Sequence, residues 1–83
     1  MPISSLIIRT EKEKTQQVVH GLRSFKEVTV SGVHSENIII VTETGKQAED
    51  KTLWGEIEKI PGVLQCDLIY HNFEDEEGFN HAQ

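Results

Sequence analysis

Four consecutive β-branched aliphatic residues, Ile38-Ile39-Ile40-Val41, stand between polar Asn37 and Thr42. Successive strand residues project to opposite faces of a sheet, so a strand built on this run is apolar on both sides. Such a strand belongs in mid-sheet, with something covering it above and below. Leu6, Ile7 and Ile8 give a second stretch the same character before Arg9 turns it polar. Only two segments of the chain read as helices, and two helices cover one face of a small sheet. The other face then keeps aliphatic surface that the fold alone does not use.

The remaining elements follow from local signals. Ile3–Thr10 reads as the first strand, and Thr10-Glu11-Lys12-Glu13 has the spacing of a capping box. A helix is expected from there to about Ser24, with Val18, Leu22 and Phe25 on its inner stripe. Gly21 lowers helix stability by roughly 1 kcal/mol relative to alanine, which predicts close packing of this helix against a strand. Glu27–Val33 alternates Val28 and Val30 with Thr29 and Ser31, and His34-Ser35-Glu36 turns it into the Asn37–Glu43 strand as a hairpin. Thr44-Gly45-Lys46 breaks the pattern. A second helix then carries Leu53, Ile57 and Ile60 inward to the stop at Pro61-Gly62, with Trp54 at the edge of the stripe. Val63–Phe73 is the last strand.

The order β-α-β-β-α-β, with right-handed crossovers, specifies an α+β, ferredoxin-like split fold: a four-stranded antiparallel sheet with two helices on one face. Its central pair is the first and third strands, the two that are apolar on both sides. Residues 1–73 make this domain, and 74–83 form an acidic tail expected to be mobile. One register places Leu6, Ile8, Val28, Val30, Ile38, Ile40, Leu64, Cys66, Leu68 and Tyr70 beneath the helices. The opposite face then carries Ile7, Arg9, Thr29, Ser31, Ile39, Val41, Gln65, Asp67, Ile69 and His71, with Ile7, Ile39, Val41 and Ile69 as an aliphatic centre. Contiguous apolar patches of this kind mark interaction surfaces.

Composition narrows the function. Eighty-three residues form one small core, leaving little room for a deep catalytic cavity. A net charge of −6 disfavours nucleic acid and anionic membrane as partners, and no apolar run is long enough to span a bilayer. Glu74, Asp75, Glu76 and Glu77 hold most of the excess: without them eight basic residues face ten acids. A lone Cys66 excludes an intrachain disulfide and any Cys-x-x-Cys site, and His20, His34, His71 and His81 lack metal-ligand spacing. No metal or cofactor is expected.

The closing stretch Gly62-Val63-Leu64-Gln65-Cys66-Asp67-Leu68-Ile69-Tyr70-His71 resembles the last strand of the NapD family, in which Gly-Val-Leu leads to an aliphatic-Tyr-His end. The Ser5-Leu6-Ile7-Ile8 start, the Ile38–Val41 strand, the length and the acidic end are similar too, so the resemblance covers roughly residues 3–73. Phe25-Lys26 departs from the Pro-Gly-like turn expected before the second strand. The resemblance implies a cytoplasmic chaperone, not an enzyme, for the catalytic subunit of the periplasmic nitrate reductase. Such a protein binds that subunit's twin-arginine signal peptide and delays export until the molybdenum cofactor is inserted. Ile7, Arg9, Ile39, Val41, Asp67, Ile69 and His71 are then the candidate peptide-binding residues. Glu74, Asp75, Glu76 and Glu77 would steer the arginines electrostatically. A monomer with weak self-association at most is expected.

Two other classes share the topology. An acylphosphatase-like hydrolase needs an anion-binding loop after the first strand, where this chain has acidic Glu11 and Glu13. A small regulatory or ligand-sensing domain would dimerise through its open sheet face.

Overall fold

The computed structural model describes residues 3–72, apart from the side chains of Gln47, His71 and Asn72. The elements run β1 (Ile3–Thr10), α1 (Thr15–Leu22), β2 (Val28–His34), β3 (Asn37–Glu43), α2 (Gln47–Glu58) and β4 (Val63–Asn72). The sheet order is β2-β3-β1-β4, and every neighbouring pair is antiparallel. The two strands with apolar residues on both sides therefore lie at the centre, as the split fold requires. Phe73 and the acidic segment 74–83 lie outside the described residues.

The core forms on the helix side. Leu6, Ile8, Ile38 and Ile40 project from the central strands into a cluster with Val18, Leu22, Leu53 and Ile57, and all are at most 7% exposed. Val28 joins it from β2, and Phe25, Val30, Trp54, Ile60, Val63 and Cys66 pack around it half-buried. Burying one such aliphatic side chain contributes about 1.5–3 kcal/mol. Alternate burial along β1 and β3 thus fixes which face the helices cover.

Thr10 does not cap a helix. It ends β1, where its Oγ1 lies 2.6 Å from Thr15 Oγ1 at the start of α1, in a buried contact. Its amide donates to Glu36 O at 2.9 Å, tying the β2–β3 turn to the end of β1. Helix α1 begins only at Thr15, after Lys14, because Thr10 is committed to the sheet. The turn itself needs one left-handed residue, Ser35, with φ 57°.

Two glycines explain themselves. Gly62 has φ 103°, and a Cβ there would sit 2.9 Å from Lys14 Cβ and 3.0 Å from Val18 Cγ2. The Pro61-Gly62 stop thus lays bare backbone directly against α1. Gly21 packs closely, as its presence in a helix predicts, but against the Ile60 side chain just past α2 rather than against a strand; a Cβ would lie 3.3 Å from Ile60 Cγ2.

The last strand departs most from the expected register. Leu64, Leu68 and Tyr70 are 61%, 48% and 54% exposed, where burial under the helices was expected. Two irregularities account for Leu64 and Tyr70. Arg9 pairs with Gln65 but Thr10 with Val63, leaving Leu64 as an extra residue. Leu6 pairs with Leu68 but Ser5 with Tyr70, leaving Ile69 as a second one. The second bulge reverses the faces beyond it, so Tyr70 joins Ser5 on the uncovered side. Leu68 keeps the helix-side register and is exposed because β4 is the edge strand of the sheet, with no outer neighbour among the described residues.

Candidate functional site

Residues directly opposite each other in an antiparallel ladder share a face, so the pairings lay out the uncovered side row by row. The middle row runs Gly32, Ile39, Ile7, Asp67 from β2 to β4. The row beside it runs Thr29, Val41, Ser5, Tyr70, and the row on the other side His34, Asn37, Arg9, Gln65. Ile7, Ile39 and Val41 are half-buried by their neighbours and meet at the centre of the sheet. The expected aliphatic centre is therefore present through three of its four members.

The other predicted residues fall into place unevenly. Arg9 is exposed in the row beyond Ile7. Asp67 lies on the β4 side of the middle row, where its Oδ2 accepts a hydrogen bond from Gln65 Nε2 at 2.7 Å. Ile69 is 52% exposed but occupies the bulge, so it has no ladder partner and sits beside the rows rather than in them. Ser31 is likewise displaced: Val30 pairs with Ile40 and Gly32 with Ile39, which makes Ser31 the extra residue of a bulge in β2. The backbone of His71 pairs with Ser4, and its side chain lies outside the described part. Glu74, Asp75, Glu76 and Glu77 lie outside it too.

Tyr70 is the addition that alternation misses. Strict period-two reading assigns it to the core, and only the bulge at Ile69 sends it to the open face. Its ring gives that face an aromatic body and a hydroxyl tip, a combination favoured at interaction surfaces.

A groove of about 780 Å³ opens where the Val41 row meets the start of α2. Val41 and Thr29 line its sheet side, and Phe25 and Leu53 give it an apolar wall. Glu27, Glu43, Glu49 and Glu56 also line it, with Lys26 as the one cation among its described lining residues. The Gly45 amide donates to Glu49 Oε1 at 2.9 Å, which fixes that carboxylate at the groove's edge. These acids come from three separate stretches of sequence, and nothing in their spacing announces that they converge.

Cys66 is half-buried, and its thiol is pushed up from 9.0 to about 11, first by burial and then by the nearby charges of Glu58 and Asp67. A thiol held so far from ionisation is a poor nucleophile at neutral pH and serves as a small packing group. Among the described residues no group of three or more His, Cys, Asp or Glu side chains could hold a metal ion, and no helix is long and apolar enough to cross a membrane.

Among the described residues, architecture and exposure together define a small ferredoxin-like domain that commits one sheet face to its helices and leaves the other uncovered. The solution structure of the E. coli Tat proofreading chaperone protein NapD has this fold: it superposes with a TM-score of 0.78 over 89% of this chain and 80% of that one, at 22% sequence identity. No curated protein sequence matches the chain. The family described as NapD protein matches residues 1–75, and the chain belongs to it.

Proposed function

We propose that this chain is a cytoplasmic chaperone whose uncovered sheet face binds the twin-arginine signal peptide of a periplasmic nitrate reductase catalytic subunit. Holding that peptide delays export until the molybdenum cofactor has been inserted. Membership of the NapD family supports this reading, as does the likeness in fold to a protein described as a Tat proofreading chaperone. The observation that carries it is the pairing of Ile7 with Ile39 beside Val41, at the centre of a face that neither helix covers.

Ile7, Ile39, Val41, Ile69 and Tyr70 form the apolar floor for the peptide's hydrophobic segment, with Asp67 and Arg9 as charged flanks. The acidic segment from Glu74 to Glu77 belongs to the same proposal as an electrostatic guide, whereas position 71, opposite Ser4 in the helix-side register, does not. Covering roughly 200 Å² of this floor contributes about 5 kcal/mol at 25 cal/mol per Å². Association costs of at least about 4 kcal/mol absorb most of that gain. Polar and charged contacts must therefore supply much of the net affinity, which makes the complex reversible, as release before export requires. The protein acts by binding alone and has no catalytic step.

Isothermal calorimetry with the signal peptide tests this reading. The intact protein binds, with an affinity that falls but does not vanish as salt rises, because ion pairs are screened over about 8 Å at physiological ionic strength while apolar burial is not. Ile39→Glu abolishes binding without unfolding the domain. Undiminished binding by a folded Ile39→Glu protein would remove the sheet face from the function.

A further inference from the structure

Charge is graded along the uncovered face. At one end stand Arg9 and His34, in the same row as Asn37 and Gln65. Four residues along β3, a distance of about 13 Å, the face reaches Val41 and the groove at the start of α2. There Glu27, Glu43, Glu49 and Glu56 line the groove, with Lys26 as the one cation among its described lining residues. Among the described residues only Glu56 of these four has a cation within 4 Å, Lys59 at 3.8 Å. Val41 and Thr29 belong both to the sheet face and to the groove's lining, so a chain lying on the face enters the groove without crossing a barrier.

From this geometry we propose that the groove is the seat of the arginine pair, and that it sets the direction in which a signal peptide lies on the sheet. The inference rests on the reading of that face as peptide-binding. The arginines enter between Glu43, Glu49 and Glu27, with Phe25 and Leu53 as an apolar wall for their stems and guanidinium planes. The hydrophobic segment then runs over Val41, Ile39 and Ile7 toward Arg9. The chemistry fits arginine in particular. A guanidinium offers five donors in a planar fork to carboxylates that come from different directions, and it stacks on an aromatic face. Reversed, the peptide would set its two cations beside Arg9 and leave Glu27, Glu43 and Glu49 without them.

The test uses a synthetic peptide with two consecutive arginines followed by an apolar segment, carrying a nitroxide just ahead of the arginines, and the full-length ¹⁵N-labelled protein. The expected result is broadening of the amides of Glu27, Glu43, Thr44 and Gly45, while those of Arg9, His34 and Asn37 stay sharp. Calorimetry should show Glu43→Gln and Glu49→Gln each weakening binding about threefold or more, and a peptide with glutamines in place of the arginines should erase that difference between variants. Glutamine at position 49 keeps an acceptor for the Gly45 amide, so the loop is preserved. Broadening centred on Arg9 and His34 would overturn the proposal and leave the sheet as the binding face. Equal affinities of the variants for the arginine peptide would overturn the groove's role in the same way. Failure of the peptide to bind at all would overturn the underlying function as well.

Discussion

Ser5 stands opposite Tyr70 on the uncovered side of the sheet, although alternation counted from Leu68 would put Tyr70 on the helix side. One inserted residue, Ile69, makes the difference. It converts an expected core aromatic into the largest side chain on the exposed face, next to the central aliphatic row. Tyr70→Ala should therefore leave the thermal midpoint within a few degrees of the parent and raise the peptide's dissociation rate several-fold. Differential scanning fluorimetry and stopped-flow fluorescence would measure the two effects.

Ile39 and Ile40 are adjacent in sequence and opposite in environment. Ile40 is fully buried, and a glutamate there places an unpaired carboxylate in the core at a cost of several kcal/mol. A domain of this size has only about 4–12 kcal/mol of total stability. Ile40→Glu should fail to fold by circular dichroism, whereas Ile39→Glu should keep a native spectrum.

Leu6 and Leu68 are ladder partners on the helix side, but the first is 1% exposed and the second 48%. Leu6→Ala should cost about 2–5 kcal/mol in urea unfolding. Leu68→Ala should cost less than about 1 kcal/mol, because half of its surface is already in water.

The glycines should divide by environment. Gly55 sits within α2 with nothing within 4 Å of an added Cβ, so Gly55→Ala should stabilise by about 0.5–1 kcal/mol. Gly62→Ala meets a left-handed backbone and the Lys14 and Val18 side chains, and should destabilise by more than about 1 kcal/mol. Equal effects in chemical denaturation would contradict the close approach of this turn to α1.

The raised thiol of Cys66 gives stability a pH dependence of known sign. The folded state holds the proton up to about 11, whereas the unfolded chain releases it near 9.0. Its contribution is fully present below the lower value and is lost as pH rises through the upper one. Cys66→Ala should flatten the decline in unfolding free energy across that interval.

The central strands were legible in the sequence because their signal was unambiguous. Ile38–Val41 and Leu6–Ile8 are apolar on both faces, which only a mid-sheet position accommodates, and the β-α-β-β-α-β order then determined the neighbours. Period-two alternation also placed Ile7, Ile39 and Val41 on the open side. The two bulges of β4 were not legible. Leu64 and Ile69 are ordinary strand residues, and only the paired partner reveals that one is extra, whereas in β2 the glycine at position 32, beside the extra Ser31, is the kind of residue that marks a bulge. Thr10-Glu11-Lys12-Glu13 has the right residues for a capping box, but tertiary pairing claimed Thr10 for the sheet. The groove at α2 was invisible for a different reason. Glu27, Glu43 and Glu49 converge only through the hairpin and the turn into the second helix.

The most direct test maps the bound signal peptide on the protein's own amide resonances. A twin-arginine signal peptide titrated into the ¹⁵N-labelled protein should shift the amides of Ile7, Ile39, Val41 and Tyr70 together, leaving the outer surfaces of α1 and α2 unchanged. Shifts confined to Gln16, Gln17 and His20 on α1, or to Lys51 and Glu58 on α2, would contradict the account.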